Sequence, residues 1–241
     1  MPVTWYDAQV VKIEESIPNI RRIWLEIPGA EPFEYEAGQF IVADLPIGEK
    51  RLQRWRSYSI AGAPDHTNRI ELCLSRSPTG EGTRYLFEDV ETGSVVRFKG
   101  PDGGFVLPEE IDKDLVFICT GTGVAPFRSM IQDLIRTGRP HRNIHLIFGT
   151  RKESGILYRG EFETLAQNHP WFKYDVTLSR QPGWHGNQGY VHPIYMEQYK
   201  NVRPDVAFYI CGWSNMIDDA VANLLIQLKY DRSQVHYELY G

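Results

Sequence analysis

The sequence predicts a small antiparallel β-barrel over residues 1–106, followed by a five-stranded parallel, doubly wound α/β sheet over residues 107–241. Three observations carry that reading. The first part alternates apolar and polar residues with a period of two, in short runs separated by turn signals. The second part interleaves compact apolar runs with stretches of helical period. Between them, Pro101–Pro108 concentrates Pro, Asp and Gly, as a seam between domains does.

Element by element, Val10–Glu14 opens the barrel, and Ile23, Leu25 and Ile27 then alternate with Trp24 and Glu26. Gln39–Leu45 and Ser57–Ile60 follow; Ile70, Leu72 and Leu74 alternate with Arg69, Glu71 and Cys73; Ser94–Lys99 completes the set. Pro28-Gly29, Ala63-Pro64-Asp65 and Thr92-Gly93 mark the turns, and Gly82–Asp89 reads as one short helix. Beyond the seam, Leu115–Cys119 is a buried strand. Phe127, Met130, Ile131, Leu134 and Ile135 then line one helical face, which Gly138 is placed to end. Ile144–Phe148, Phe172–Leu178, Val206–Ile210 and Gln234–Leu239 are the remaining strands. Met216–Leu228 is the clearest other helix, with Ser214 as its expected N-cap.

Composition narrows the function. Of 241 residues, 42% are hydrophobic and 24% charged, the balance of a folded soluble protein, and a net charge of -5 speaks against a nucleic-acid surface. No apolar run approaches the ~18 residues of a membrane span. The opening MPVTWYDAQV lacks the charged and apolar regions of a secretory signal, so a cytoplasmic location is expected. Cys73, Cys119 and Cys211 are odd in number and far apart, with no CxxC, and no histidine sits in an HExxH setting. Metal centres and disulfide frameworks are disfavoured. Any electron transfer must run on an organic cofactor.

Two turns have the chemistry of anion sites. Cys119-Thr120-Gly121-Thr122-Gly123-Val124-Ala125-Pro126 joins a buried strand to an amphipathic helix, where unpaired N–H groups can hold a pyrophosphate. Its glycines allow close approach, and Pro126 suits a first helical turn because it needs no donor there. It departs from GxGxxG in having Pro126 for the third glycine. The next strand also ends in Gly149-Thr150-Arg151 and not in an acidic residue, so a dinucleotide-binding sheet with its own phosphate loop is expected. The second turn, Gly80-Glu81-Gly82-Thr83, opens the short helix. Upstream, Arg56-Ser57-Tyr58-Ser59 offers a guanidinium fork, a flat ring and two hydroxyls. Two phosphate turns, one per domain, imply two nucleotide-like cofactors.

On these residues, together with Ala37-Gly38-Gln39-Phe40 and Cys211-Gly212-Trp213, the chain resembles the ferredoxin–NADP reductases and the related reductase components of oxygenases. The resemblance implies a six-stranded Greek-key flavin barrel, a pyridine-nucleotide domain, FAD, and NADP(H) or NAD(H). It implies that Arg56 holds the FAD pyrophosphate with Ser57 beside it, that Tyr58 lies on the isoalloxazine, and that Ser59 approaches flavin N5. Leu74, Ser75 and Arg76 match the strand along the ribityl and adenylate part, and Gly80, Gly82 and Thr83 a second phosphate contact. Thr120, Gly121, Thr122, Gly123, Ala125 and Pro126 match the nicotinamide dinucleotide loop. Arg151, Ser179 and Arg180 match its ribose-phosphate end, and Cys211, Gly212 and Met216 its nicotinamide end. Glu238 and Tyr240 would close the flavin face, with Tyr240 as a displaceable gate.

The match of Ser179-Arg180 implies NADPH, whereas Asn187 and Gly183-Trp184-His185-Gly186 look like NADH-using members. Without length or cysteines for an iron–sulfur domain, the expected acceptor is a separate ferredoxin, flavodoxin or oxygenase component. Lys50, Arg51, Arg54 and Arg56 form a basic stretch suited to an acidic partner. A monomer is expected. Two other readings stand beside the reductase: an electron-transfer subunit of a larger enzyme, or a flavin-binding redox sensor.

Overall fold

The computed structural model describes residues 4–29 and 32–239. In chain order the elements are β1 (Trp5–Ile17), β2 (Ile20–Glu26), β3 (Phe40–Asp44), α1 (Arg51–Arg54), β4 (Trp55–Ser59), β5 (Arg69–Ser75), α2 (Glu81–Glu88) and β6 (Val95–Asp102). After them come β7 (Asp114–Thr120), α3 (Ala125–Thr137), β8 (Ile144–Thr150), α4 (Arg159–Asn168), β9 (Phe172–Leu178) and β10 (Asn187–Gln188). The last are α5 (His192–Gln198), β11 (Val206–Gly212), α6 (Ser214–Ala222) and β12 (Val235–Leu239). The chain forms two compact units. One comprises residues up to Leu107 together with Ala125–Thr137; the other comprises Pro108–Val124 and the residues from Gly138.

In the first unit, β4-β3-β6-β1-β2-β5 form one antiparallel sheet of six strands. A bridge between Ile60 and Leu72 joins its two edges, and closure of this kind removes the exposed strand edges. The period-two residues Ile23, Leu25, Ile70, Leu72 and Leu74 all point inward with Ile41 and Phe98. Helix α3 packs in the same unit through a buried charge chain. Arg128 donates to the Ala61 carbonyl (3.0 Å) and to the Glu71 carboxylate (2.9 Å), while Arg22 holds the other Glu71 oxygen at 2.7 Å.

The second unit is a parallel sheet ordered β10-β9-β8-β7-β11-β12. It has six strands and not five, because the two-residue β10 adds an edge beside β9. So short a strand leaves no periodicity to read. β8 and β11 are buried almost throughout, as parallel strands covered on both faces are. The strand order reverses at β7, with β8 on one side and β11 on the other, which opens a crevice beyond their carboxyl ends.

Two local expectations change. Trp213, not Ser214, is the N-cap of α6; Trp213 is extended and Ser214 is already the first helical residue. The helix expected over Met216–Leu228 runs as α from Ser214 to Ala222 and then widens into a π-turn at Asn223–Gln227. No helix among the described residues is long and apolar enough to cross a membrane.

Candidate active site

The first unit gathers Arg56, Tyr58 and the start of α2. Arg56 and Tyr58 are two apart on β4 and share a face, paired with Ala43 and Ile41 of β3. Tyr58 packs against the barrel core, and burial pushes its phenol up to about 12, so it presents a neutral ring. Arg56 crosses to α2: a Cβ built on Gly82 would lie 3.0 Å from Arg56 Cγ and 3.3 Å from its Nε. The guanidinium also donates to the Trp55 carbonyl at 2.8 Å. Gly80 caps α2 with no side-chain hydrogen bond, so the first N–H groups of the helix have no capping side chain. Thr83 stabilises this turn: its hydroxyl accepts from Ser77 N–H (3.0 Å) and donates to the Gly80 carbonyl (3.1 Å). What remains for an anion at Thr83 is its backbone N–H. Ser59 is buried at the end of β4, and Ser57, on the face away from Arg56 and Tyr58, is exposed.

The second unit builds its turn by backbone crossing. Gly121–Val124 is a short 3-10 turn at the end of β7, with Gly121 at φ 53° and open space where a side chain would be. A Cβ on Gly123 would lie 2.4 Å from the Cys211 carbonyl oxygen, and one on Gly212 only 2.5 Å from Thr120 Oγ1. Only glycine admits either contact, and Gly212 also has φ 142°. Thr120 Oγ1 accepts from Trp213 N–H at 3.1 Å and ties the two loops together. The turn thus sits at the crevice where the strand order reverses. Thr122 is half-buried on it; Ala125 and Pro126 are buried in the first turn of α3.

Cys211 lies in register with Cys119 of β7 and Glu238 of β12 and is fully buried. Burial, with Cys211 nearby, pushes the Cys119 thiol far above its usual range. Trp213, two residues on from Cys211, is 70% exposed. Farther along the same edge, Ser179 N–H donates to the Thr150 carbonyl (3.0 Å) and Arg180 N–H to the Arg151 carbonyl (2.8 Å). This pairing sets two exposed arginines side by side. Arg159 lies over the Trp184 ring at 5.8 Å, and a Cβ on Gly186 would meet Trp184 at 2.5 Å, so the Gly183–Gly186 run wraps its own indole.

Some expected residues are held elsewhere. Leu74 is in the barrel core, leaving its backbone and exposed Ser75 at the strand end. Arg76 pairs with Glu88 and lies by Phe87, toward the far end of α2. Met216 packs in the apolar core of the second unit. Tyr240 lies outside the described residues. The periodicity passed over Arg21, which is buried and reaches α2; its signal was a charge on the inward face of β2, in step with Ile23 and Leu25.

A closed antiparallel barrel with an arginine-backed helix start, together in one chain with a parallel sheet that carries a glycine turn at its switch point, defines a two-cofactor dinucleotide oxidoreductase. Family models agree: residues 7–107 match the oxidoreductase FAD-binding domain and residues 117–222 the oxidoreductase NAD-binding domain. The chain is 35% identical to ferredoxin--NADP reductase B of Sorangium cellulosum over 98% of its length and 97% of that protein. It is 31% identical to the phenol hydroxylase P5 protein of Acinetobacter pittii, spanning 65% of that longer chain. Among solved structures, the Amycolatopsis reductase GcoB superposes with a TM-score of 0.87 at 28% identity, over 99% of this chain and 70% of that one. A ferredoxin NADP+ reductase from Neisseria gonorrhoeae with bound FAD and NADP shares the fold, with a TM-score of 0.80 at 21% identity over 97% and 98% of the two chains. The chain belongs to the ferredoxin–NADP reductase family and is an FAD-dependent oxidoreductase that uses a nicotinamide dinucleotide.

Proposed function

We propose that this enzyme oxidises NADPH and passes the electrons, through FAD, to a separate redox protein of the ferredoxin, flavodoxin or oxygenase-component type. The observation that carries the reading is the presence of two independently built anion turns, one in each unit. The FAD diphosphate fits the first. Arg56 supplies charge, Gly82 admits the close approach, and the uncapped start of α2 supplies N–H donors. Tyr58 would lie on the isoalloxazine and Ser59 would donate toward its N5 edge. Bound FAD supplies the capacity to accept a hydride and release electrons singly. In the second unit, Gly121 and Thr122 would hold the dinucleotide pyrophosphate, with Gly123 and Gly212 keeping the loops close enough to do so. Cys211 and Glu238 would border the nicotinamide end, and Tyr240 would act as the gate.

The preference for NADPH is assigned to Arg180 with Arg151 and Ser179, two cations and a hydroxyl suited to a ribose phosphate dianion. Chromatography of the flavin released by heat tests the cofactor assignment: FAD is expected, and FMN as the main species overturns it. A cytoplasmic monomer is part of the same proposal.

The acceptor is assigned to a cation–aromatic surface of the first unit. Arg54 is neutralised by Asp44 (2.8 Å), so the charge there comes from Lys50, Arg51 and Lys99. Arg51 and Lys99 lie over the Trp55 ring at 4.8 and 4.4 Å. An acidic partner steered by this surface should be reduced at a rate that falls steeply with ionic strength. A rate indifferent to salt counts against it.

A further inference from the structure

Helix α2 is short, eight residues, and its two ends are treated very differently. The amino end carries the Gly80–Thr83 turn and meets Arg56. The carboxyl end is held by Arg21, which projects inward from β2 with its side chain only 11% exposed. Its guanidinium donates to the Leu86 carbonyl at 2.7 Å and to the Val90 carbonyl at 2.9 Å. The first bond satisfies a last-turn carbonyl that the helix itself leaves open, the second holds the residue just past its C-cap, and a cation there complements the negative end of the helix dipole. Glu15 holds the same guanidinium from β1, and the Phe87 ring lies 5.1 Å from it. Arg21 is paired with Leu74 in the β2–β5 register, next to the strand end proposed to run along the flavin dinucleotide.

We infer that Arg21 is a positioning residue for FAD: by clamping the carboxyl end of α2 to the barrel, it fixes where the amino end meets the cofactor's diphosphate. This rests on the reading of Arg56 and α2 as the diphosphate site. The chemistry is specific. A floating helix start can no longer direct its N–H groups at a diphosphate, while the ring contact with Tyr58 and the single charge of Arg56 are left in place. Arg21 is therefore expected to separate FAD, which has two phosphates, from FMN, which has one.

The test is titration of FAD and of FMN into flavin-stripped protein, with far-UV circular dichroism on each variant. Arg21→Met should weaken FAD binding about tenfold to a hundredfold and change FMN binding less than about threefold. Arg21→Lys, which keeps a cation and donors, should recover part of the loss. Glu15→Gln loosens Arg21 without emptying its site and should give a smaller shift in the same direction, which keeps the inference testable if Arg21→Met does not fold. Equal losses for FAD and FMN, or no loss for either, overturn the inference. Arg56→Ala is the control: if it fails to weaken FAD, the diphosphate reading itself is wrong. If it weakens FAD while the Arg21 and Glu15 variants leave the FAD-to-FMN ratio unchanged, only the role of Arg21 fails.

Discussion

The turns at Gly80–Thr83 and Gly121–Val124 offer the same thing to a ligand, backbone N–H groups at the start of a helical turn, yet they are held by opposite means. The first is surrounded by charge. Arg56 lies on Gly82, Arg21 clamps the other end of the helix, and the same unit buries the Arg128–Glu71–Arg22 chain. The second is held by contact. Gly123 and Gly212 pack backbone on backbone, Thr120 bonds Trp213, and the strands below are apolar nearly throughout. A charged support tolerates small displacements because Coulomb forces fall slowly with distance, whereas packed backbone tolerates none. The two units should therefore fail differently when damaged.

The largest failure is expected in the first unit. Glu71→Leu leaves Arg128 buried without its carboxylate and should cost about 3–5 kcal/mol of stability in urea unfolding. Adding Arg128→Met should restore much of it, since paired removal of buried charges is often neutral. If the double variant is as unstable as the single, the carboxylate does more than balance charge.

In the second unit the cations proposed to meet a ribose phosphate, Arg151 and Arg180, stand apart from the turn. Arg180→Ala should weaken NADPH by about 1.5–3 kcal/mol and leave NADH almost unchanged. Equal losses for both dinucleotides would sink that assignment. Gly123→Ala tests the packed turn itself. The added methyl should cost about 1–3 kcal/mol through forced backbone shifts and raise KM for NADPH while FAD content stays normal. An unaffected KM would show that the loop is not held by this contact.

How much of this was legible in the sequence depended on period and spacing. The barrel strands, the β7-to-α3 turn and the α2 start could be read because alternation, helical spacing and glycines report local geometry. Buried charge was harder: Glu71 alternates with Ile70 and Leu72 like a solvent-facing residue until Arg22 and Arg128 meet it, and Arg21 falls on the inward face of β2 but its carbonyl partners at the end of α2 lie 65 and 69 residues away. β10 and α1 are too short for any period to emerge. The π-turn at Asn223–Gln227 keeps an apolar pattern close to that of an α-helix, so periodicity could not separate them.

The smallest effect is a pH dependence confined to the second unit. His145 accepts from Tyr199 Oη at Nδ1 (2.9 Å) and faces Asp175 from Nε2 (2.9 Å); Lys173 and Gln198 also reach Asp175. Burial lowers the His145 pKa, and the bond from His145 holds the Asp175 carboxyl well below its usual range. Both groups are harder to protonate folded than unfolded, so stability present above the unfolded values falls as pH drops. His145 contributes as pH falls through about 6.5, and Asp175 below about 4. His145→Gln should flatten the stability curve between about pH 5 and 7. An unchanged curve would mean that another group titrates there.

The two turns are proposed to serve two dinucleotides in one reaction. Anaerobic rapid mixing of the purified holoprotein with NADPH tests it most directly, followed through the visible absorbance of the bound flavin. Bleaching of an FAD spectrum is expected in wild type. In Gly123→Ala, FAD should remain bound while the bleaching demands far more NADPH. In Arg56→Ala, loss of FAD should come first. A flavin that stays oxidised in wild type under excess NADPH and excess NADH would contradict the claim.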